Sequence, residues 1–348
     1  MKTATFKHKK DFLLESGKNI AGFQLRYSTL GKLNADKSNA VWVFHALTAN
    51  SEAEDWWPGL IGEQKLFNPD EHFVICVNIP GSCYGSTGPL DIDPHTKKPY
   101  YTTFPLFTIK DIIRTFRDVK DSLGIQKIWL GIGGSLGGMQ LLEWAAEYPD
   151  DFEYIVPIAT SAKTSPWVIA LNTSQRMCIE QDATWNNHTD NAGTEGLKTA
   201  RTIALLSYRN YDTYTQSQQG ATLDTEDLSI DQKVFKAETY QRYQGEKLAK
   251  RFNAYSYYNI TKVLDTHDIG RGRGTAEFAL SIIKSKALVI GISSDLLFPP
   301  KEQEFIATHL KNAQLEIIES FYGHDGFLLE FEIIHYLISK FLDSHKQK

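Results

Sequence analysis

One serine in this chain is set among glycines in a way that could make it a nucleophile. Gly133-Gly134-Ser135-Leu136-Gly137 fits G-x-S-x-G, in which the serine sits on a tight turn between a strand and a helix. Glycines suit such a turn because backbone passes close to backbone and takes φ/ψ values that a side chain resists. The context agrees with the pattern. A short apolar run, residues 128–130, precedes it, and Leu141, Leu142, Ala145 and Ala146 follow at helical spacing.

A hydroxyl is a poor nucleophile and needs a general base, which in turn needs an orienting acid. For a serine on this kind of elbow the partners follow in the order Asp/Glu, then His. The chain has ten histidines. The order removes His8, His45, His72 and His95. His188 and His267 fall in a helical block, His309 and His335 in helical patterns, and His345 in the tail. His324 remains, in the glycine-flanked loop Phe321-Tyr322-Gly323-His324-Asp325-Gly326. The acid should follow the preceding strand. Asp295 does so, after the run Ala287-Leu288-Val289-Ile290 and before Pro299-Pro300. Asp325 is the competitor, but neighbouring side chains pair poorly in this geometry. Two N–H donors are needed for the developing oxyanion. Leu136, after the serine, supplies one, and Leu47, in the loop His45-Ala46-Leu47-Thr48-Ala49-Asn50, is the choice for the other. His45 is then expected to bond or pack locally. No metal-ligand spacing of the H-E-x-x-H or paired-cysteine kind occurs.

These residues must be held by strands and helices, and the chain supplies them. Continuous apolar runs lie at residues 41–44, 73–77, 128–130, 154–158, 287–290 and 314–318, as expected of strands covered on both faces. Helical patterns alternate with them, one capped by Thr108 and ending near Gly124, others at residues 300–310 and 326–341. The alternation predicts a doubly wound, mostly parallel α/β sheet. A hairpin or meander precedes it at residues 10–32. From Ser165 to Arg273 no buried strand is apparent. Ser165-Pro166 starts a helix, and residues 234–258 read as mostly helical. The expected division is a core of residues 1–164 and 274–348 interrupted by a helical lid, 165–273. Gly270-Arg271-Gly272-Arg273-Gly274 reads as a flexible linker closing that insertion.

Bulk properties narrow the classes. The 348 residues are 42% hydrophobic, enough for a large core. A formal net charge of −5 argues against nucleic acid as a partner. No apolar run approaches the roughly 18 residues of a membrane span, and the polar N-terminus shows no signal peptide. Three cysteines, without C-x-x-C, suggest a reducing cytoplasm.

Taken together, His45-Ala46-Leu47-Thr48, Trp56-Trp57-Pro58-Gly59-Leu60-Ile61-Gly62, Gly81-Ser82-Cys83-Tyr84-Gly85-Ser86-Thr87-Gly88-Pro89, the elbow through Gln140, Ser207-Tyr208-Arg209, Tyr243-Gln244-Gly245-Glu246-Lys247-Leu248 and Gly323-His324-Asp325-Gly326-Phe327-Leu328 resemble the homoserine O-acetyltransferases of the α/β-hydrolase superfamily. The likeness spans nearly the whole chain. It implies ping-pong transfer of acetyl from acetyl-CoA, as co-substrate, through Ser135 to L-homoserine, feeding methionine synthesis. It implies no permanently bound cofactor and a homodimer formed through the lid. By the same resemblance Arg209 grips the substrate carboxylate, Asp325 pairs with its ammonium, and one lid tyrosine assists, with Tyr208, Tyr211 and Tyr214 as the alternatives. Leu136 stands where many members have methionine, and residues 213–231 depart from the family pattern. A succinyl donor, a serine acceptor, an esterase or thioesterase, and a non-catalytic binding module are the alternative readings.

Overall fold

The computed structural model describes residues 1–346. Two long antiparallel strands open the chain, β1 (Lys2–Leu13) and β2 (Asn19–Leu30), closed by a turn in which Gly17 takes φ 82°. β1 extends well upstream of the expected hairpin. It is an edge strand with most positions exposed, so its sequence carries charge where a central strand carries aliphatics.

The sheet core follows the apolar runs: β3 (Ala40–Phe44), β4 (Phe73–Val77), β5 (Ile128–Gly134), β6 (Phe152–Ile158), β7 (Lys286–Ile292) and β8 (Ala313–Ile318). Eight strands lie in the order β1-β2-β4-β3-β5-β6-β7-β8. Pairing is antiparallel from β1 to β4 and parallel from β4 to β8. Strand alternation splits the core into two layers. Trp42 and Phe44 of β3 pack with Phe116 of α2 (Ile109–Ser122) and Trp144 of α3 (Leu136–Glu147). Val41 and Val43 point the other way, into a cluster with Ala53 of α1 (Ala53–Trp56) and with Ile338 and Phe341 of the C-terminal helix. Each such side chain, fully buried, contributes on the order of 1.5–3 kcal/mol. α2 starts where expected, with Thr108 and Asp111 forming a capping box.

Between β6 and β7 the chain is helical: α4 (Pro166–Glu180), α5 (Thr194–Tyr208), α6 (Tyr211–Ser217), α7 (Lys236–Ala249), α8 (Ala254–Asp265) and the short α9 (Ala276–Ser281). Ser165 caps α4 and Pro166 occupies its first turn. The helix expected over residues 234–258 is broken at residues 250–253, because Asn253 turns out of the helix to cap α8. After β7 come α10 (Pro300–His309), then β8, α11 (Gly326–Leu329) and α12 (Phe331–Lys346). Among the described residues no helix is long and apolar enough to cross a membrane.

The linker reading of residues 270–274 is overturned. Arg271 holds Glu15 with two bonds, at 2.8 and 3.0 Å. Arg273 donates to Glu143, to Glu147 and to the Ile269 carbonyl. The glycines provide the turn, and the arginines fasten it to the core.

Candidate active site

The loops that carry the candidate residues leave the same edge of the sheet. Leu47 follows β3, Ser135 follows β5, Asp295 follows β7 and His324 follows β8, all strands of the parallel part. The carboxyl ends of a parallel sheet are where such folds gather ligands.

Ser135 takes φ 57°, ψ −126°, a sparsely populated conformation for a residue with a side chain. Its surroundings enforce it. Its N–H donates to Ile158 O at 3.0 Å, and its carbonyl accepts from Thr160 Oγ1 at 2.7 Å. A Cβ on Gly137 would come within 2.2 Å of Phe44 O, and one on Gly133 within 2.5 Å of Gly137 C, so both must be glycine. The turn delivers Ser135 to the first turn of α3, beside the N–H of Leu136.

The Asp295 loop and the His324 loop are stitched together. Ser294 Oγ donates to Ser320 O at 2.5 Å and accepts from Gly323 N–H at 3.1 Å. His324 Nδ1–H donates to Asp295 Oδ2 at 2.7 Å, and Asp295 Oδ1 accepts the N–H groups of Leu297 and Phe298 at 2.7 and 2.9 Å. Both carboxylate oxygens are therefore engaged, and Nδ1 of the imidazole is committed to Asp295. His324 is only 3% exposed. Burial alone would lower its pKa. The Asp295 charge and hydrogen bond, with the Asp325 charge, outweigh that and hold it above the ordinary value. Phe327 joins this pair to the serine: its ring lies 5.3 Å from the His324 ring and fills the space beside Gly134, where a Cβ would meet it at 2.2 Å.

Arg209, at the end of α5, meets Asp325, Nη2 to Oδ2 at 3.3 Å. Burial raises the Asp325 pKa against the opposing charges of Arg209 and His324. Gly323 allows the approach. It has φ 63°, and a Cβ there would meet Tyr208 O at 2.8 Å. Of the three tyrosines left open, Tyr208 lies nearest the imidazole, at 5.7 Å between rings. Tyr211 and Tyr214 line a cavity of about 480 Å³ with Arg209, Leu206, Ala237 and Leu296.

Sequence reading missed two partners. Tyr240 OH accepts from Arg209 Nη2 at 3.4 Å, and its ring meets Tyr214 edge-on. Gln140 Nε2 donates to the carbonyls of both His45 and Leu136, tying the β3 loop to the elbow helix. Nothing near either residue in sequence signals these contacts, although Gln140, fully buried and polar in an apolar helix, is the kind of residue that needs partners.

An elbow serine on an eight-stranded, mostly parallel sheet, with a buried Asp–His pair on loops leaving the same edge, defines a protein of the α/β-hydrolase fold. The family model described as "alpha/beta hydrolase fold" matches residues 39–331. The homoserine O-acetyltransferase of Cyclobacterium marinum is 47% identical over 328 residues, covering 94% of this chain and 92% of its own. That of Nostoc punctiforme is 42% identical, covering 94% and 93%. The crystal structure of the homoserine O-acetyltransferase from Bacillus anthracis superposes with a TM-score of 0.90 at 25% identity, covering 98% of this chain and 97% of that one. Esterase E22 superposes with a TM-score of 0.89 at 24% identity, covering 98% and 99%, a likeness of fold. The chain belongs to the homoserine O-acetyltransferase family, and it is an acyltransferase.

Proposed function

We propose that this enzyme makes O-acetyl-L-homoserine from acetyl-CoA and L-homoserine through an acetyl–Ser135 intermediate, as a step toward methionine in the cytoplasm. In the first half-reaction His324 Nε2 takes the Ser135 proton and Oγ attacks the thioester carbonyl. The Leu47 and Leu136 N–H groups stabilise the oxyanion. The C–S bond breaks, and the thiolate leaves with the proton from His324. In the second half the homoserine hydroxyl gives its proton to His324 and attacks the acetyl carbonyl. The Ser135 oxygen leaves and recovers a proton. Asp295 keeps the imidazole in the right tautomer and steadies its charge.

The observation that carries transfer to an amino acid is the Arg209–Asp325 pair beside the imidazole. A guanidinium suits a carboxylate and a carboxylate suits an ammonium, so the pair matches both charges of an amino-acid backbone. Residues 165–273 would act as the lid that keeps water from the acyl-enzyme. We place a homodimer contact on the same block, supported by half-exposed Trp167, Met177 and Leu206. Hydrolysis of the acetyl–Ser135 intermediate by water is the alternative reading, because the same serine, histidine and aspartate would serve it.

Thiol release separates the two. With acetyl-CoA, release should be slow alone and fast with L-homoserine, absent in Ser135→Ala, and slow with succinyl-CoA or L-serine. Equal rates with and without homoserine would overturn transfer in favour of hydrolysis.

A further inference from the structure

The loop after β3 is held by its carbonyl groups. Gln140 Nε2 donates to His45 O at 3.2 Å, Arg251 Nη1 to Thr48 O at 2.5 Å, and Trp56 Nε1 to Asn50 O at 2.9 Å. The Ala46 carbonyl is held from two sides. It accepts from His45 Nδ1 at 2.9 Å and from Ala49 N–H at 3.1 Å. That carbonyl shares a planar peptide with the N–H of Leu47, and in a trans peptide the two point in opposite directions. Whatever fixes the Ala46 oxygen therefore aims the Leu47 N–H.

The His45 ring is itself constrained. Ile79 N–H donates to its Nε2 at 3.1 Å, so the ring proton must sit on Nδ1, facing Ala46. The ring is fully buried, and burial pulls its pKa down to about 4, which keeps it neutral through the working range.

We propose that His45 is a positioning residue of the reaction: its Nδ1–H locks the Ala46–Leu47 peptide so that the Leu47 N–H faces the oxyanion formed at Ser135. This rests on the acetyl–Ser135 reading above and deepens it. The histidine does not touch substrate. It acts through a backbone donor that cannot be mutated directly.

Two variants separate this role from plain packing. In His45→Asn the amide nitrogen falls near the place of Nδ1 and keeps the donor to Ala46, while Ile79 N–H loses its acceptor. In His45→Gln the amide oxygen falls near Nε2 and keeps the acceptor, while Ala46 loses its donor. Losing an oxyanion donor costs about 10²–10³ in kcat, so His45→Gln should lose about 10²-fold in kcat with KM for acetyl-CoA and homoserine within about twofold. His45→Asn should stay within about tenfold of the parent enzyme in kcat. Thermal midpoints should rank the other way, with Asn below Gln, because Asn orphans the buried Ile79 N–H. A kcat loss that follows the thermal ranking, or equal losses in both variants, overturns the positioning role. Intact-mass analysis of the parent enzyme with acetyl-CoA tests the reading beneath it. An acetyl adduct on Ser135 with the kcat order reversed or flat sinks only His45's role. No adduct sinks both.

Discussion

The Arg209 guanidinium reaches from the end of α5 to Asp325, Nη2 to Oδ2 at 3.3 Å, and so closes a charge pair directly beside the buried imidazole of His324. Both groups have bonding capacity to spare: Arg209 Nε is buried without a protein partner among the described residues. Under the proposed function, an amino acid entering between them would exchange one ion pair for two. Asp325→Asn keeps shape and removes the charge for the ammonium. The pair is half-buried, its side chains 23% and 16% exposed, and a hydrogen bond to a charged group contributes about 1.5–3 kcal/mol. The homoserine KM should therefore rise by about 10- to 10²-fold, while the thiol burst with acetyl-CoA alone stays unchanged. A weakened burst would move Asp325 into the first half-reaction instead.

With His324 as the proposed base, its 2.7 Å bond to Asp295 should set the enzyme's pH response. The base must be neutral to accept the serine proton, and its pKa lies above the usual histidine value. The acid limb of kcat/KM should therefore fall above pH about 6.5. Asp295→Asn should move that limb to lower pH and lower kcat by about 10⁴-fold. Stability responds with the opposite sign. A histidine whose folded pKa is raised stabilises fully below its unfolded pKa of about 6.5 and loses that contribution as pH rises through the folded value. The parent enzyme should thus lose thermal midpoint across that window relative to Asp295→Asn. Parallel melting curves for the two proteins would show that the pair carries no linked proton.

The sheet was legible because its central strands are covered on both faces, so residues such as Val41–Phe44 must all be apolar. His324 and Asp295 could be paired from the sequence because few histidines lie in a loop after a strand and downstream of the elbow. β1 was only partly visible, since an exposed edge strand, with Lys7, Lys9 and Lys10, has no compulsory apolar face. Arg271 and Arg273 read as part of a flexible linker because their partners, Glu15, Glu143 and Glu147, lie over a hundred residues away. Tyr240 was missed because its partner Arg209 lies 31 residues away, at the end of α5. Polar contacts between distant segments leave no local period.

Ser135, the proposed nucleophile, is held in an unfavourable backbone conformation, φ 57° and ψ −126°. Such strain costs on the order of 1–3 kcal/mol in a residue with a Cβ and little in glycine. Ser135→Ala keeps the strain and Ser135→Gly releases it, against a cost in unfolded-state entropy of about 0.5–1 kcal/mol. Both should be inactive. The glycine variant should melt about 2–4 °C above the alanine variant. The reverse order, by differential scanning calorimetry, would show that the elbow stores no strain.

Arg273 is the fastening with the most to lose. Its side chain is 9% exposed, Nη2 lies 2.7 Å from Glu143 Oε1, and Glu143 is 4% exposed. Glu147 accepts from the same nitrogen and is also held by Lys110 at 3.1 Å, so it keeps a partner when Arg273 is removed. Glu143 does not. In Arg273→Met a buried carboxylate loses its hydrogen-bonded partner and keeps only the charges of Lys110 and Arg271, and breaking such a pair costs up to about 3–5 kcal/mol. Burial already pushes the Glu143 carboxyl up, with Arg273 opposing it. Without Arg273 its folded pKa rises further. A carboxyl with a raised folded pKa favours the fold only below its unfolded value of about 4.3, and that contribution is lost as pH rises through the folded value. The deficit of Arg273→Met should therefore be larger at about pH 8 than at about pH 5, and adding Glu143→Gln should shrink it at the higher pH. A deficit that is flat with pH would mean that lost packing, not the orphaned charge, sets the cost. Because Glu143 sits two turns along the helix that begins beside Ser135, the same comparison also reports how firmly the elbow is anchored from behind.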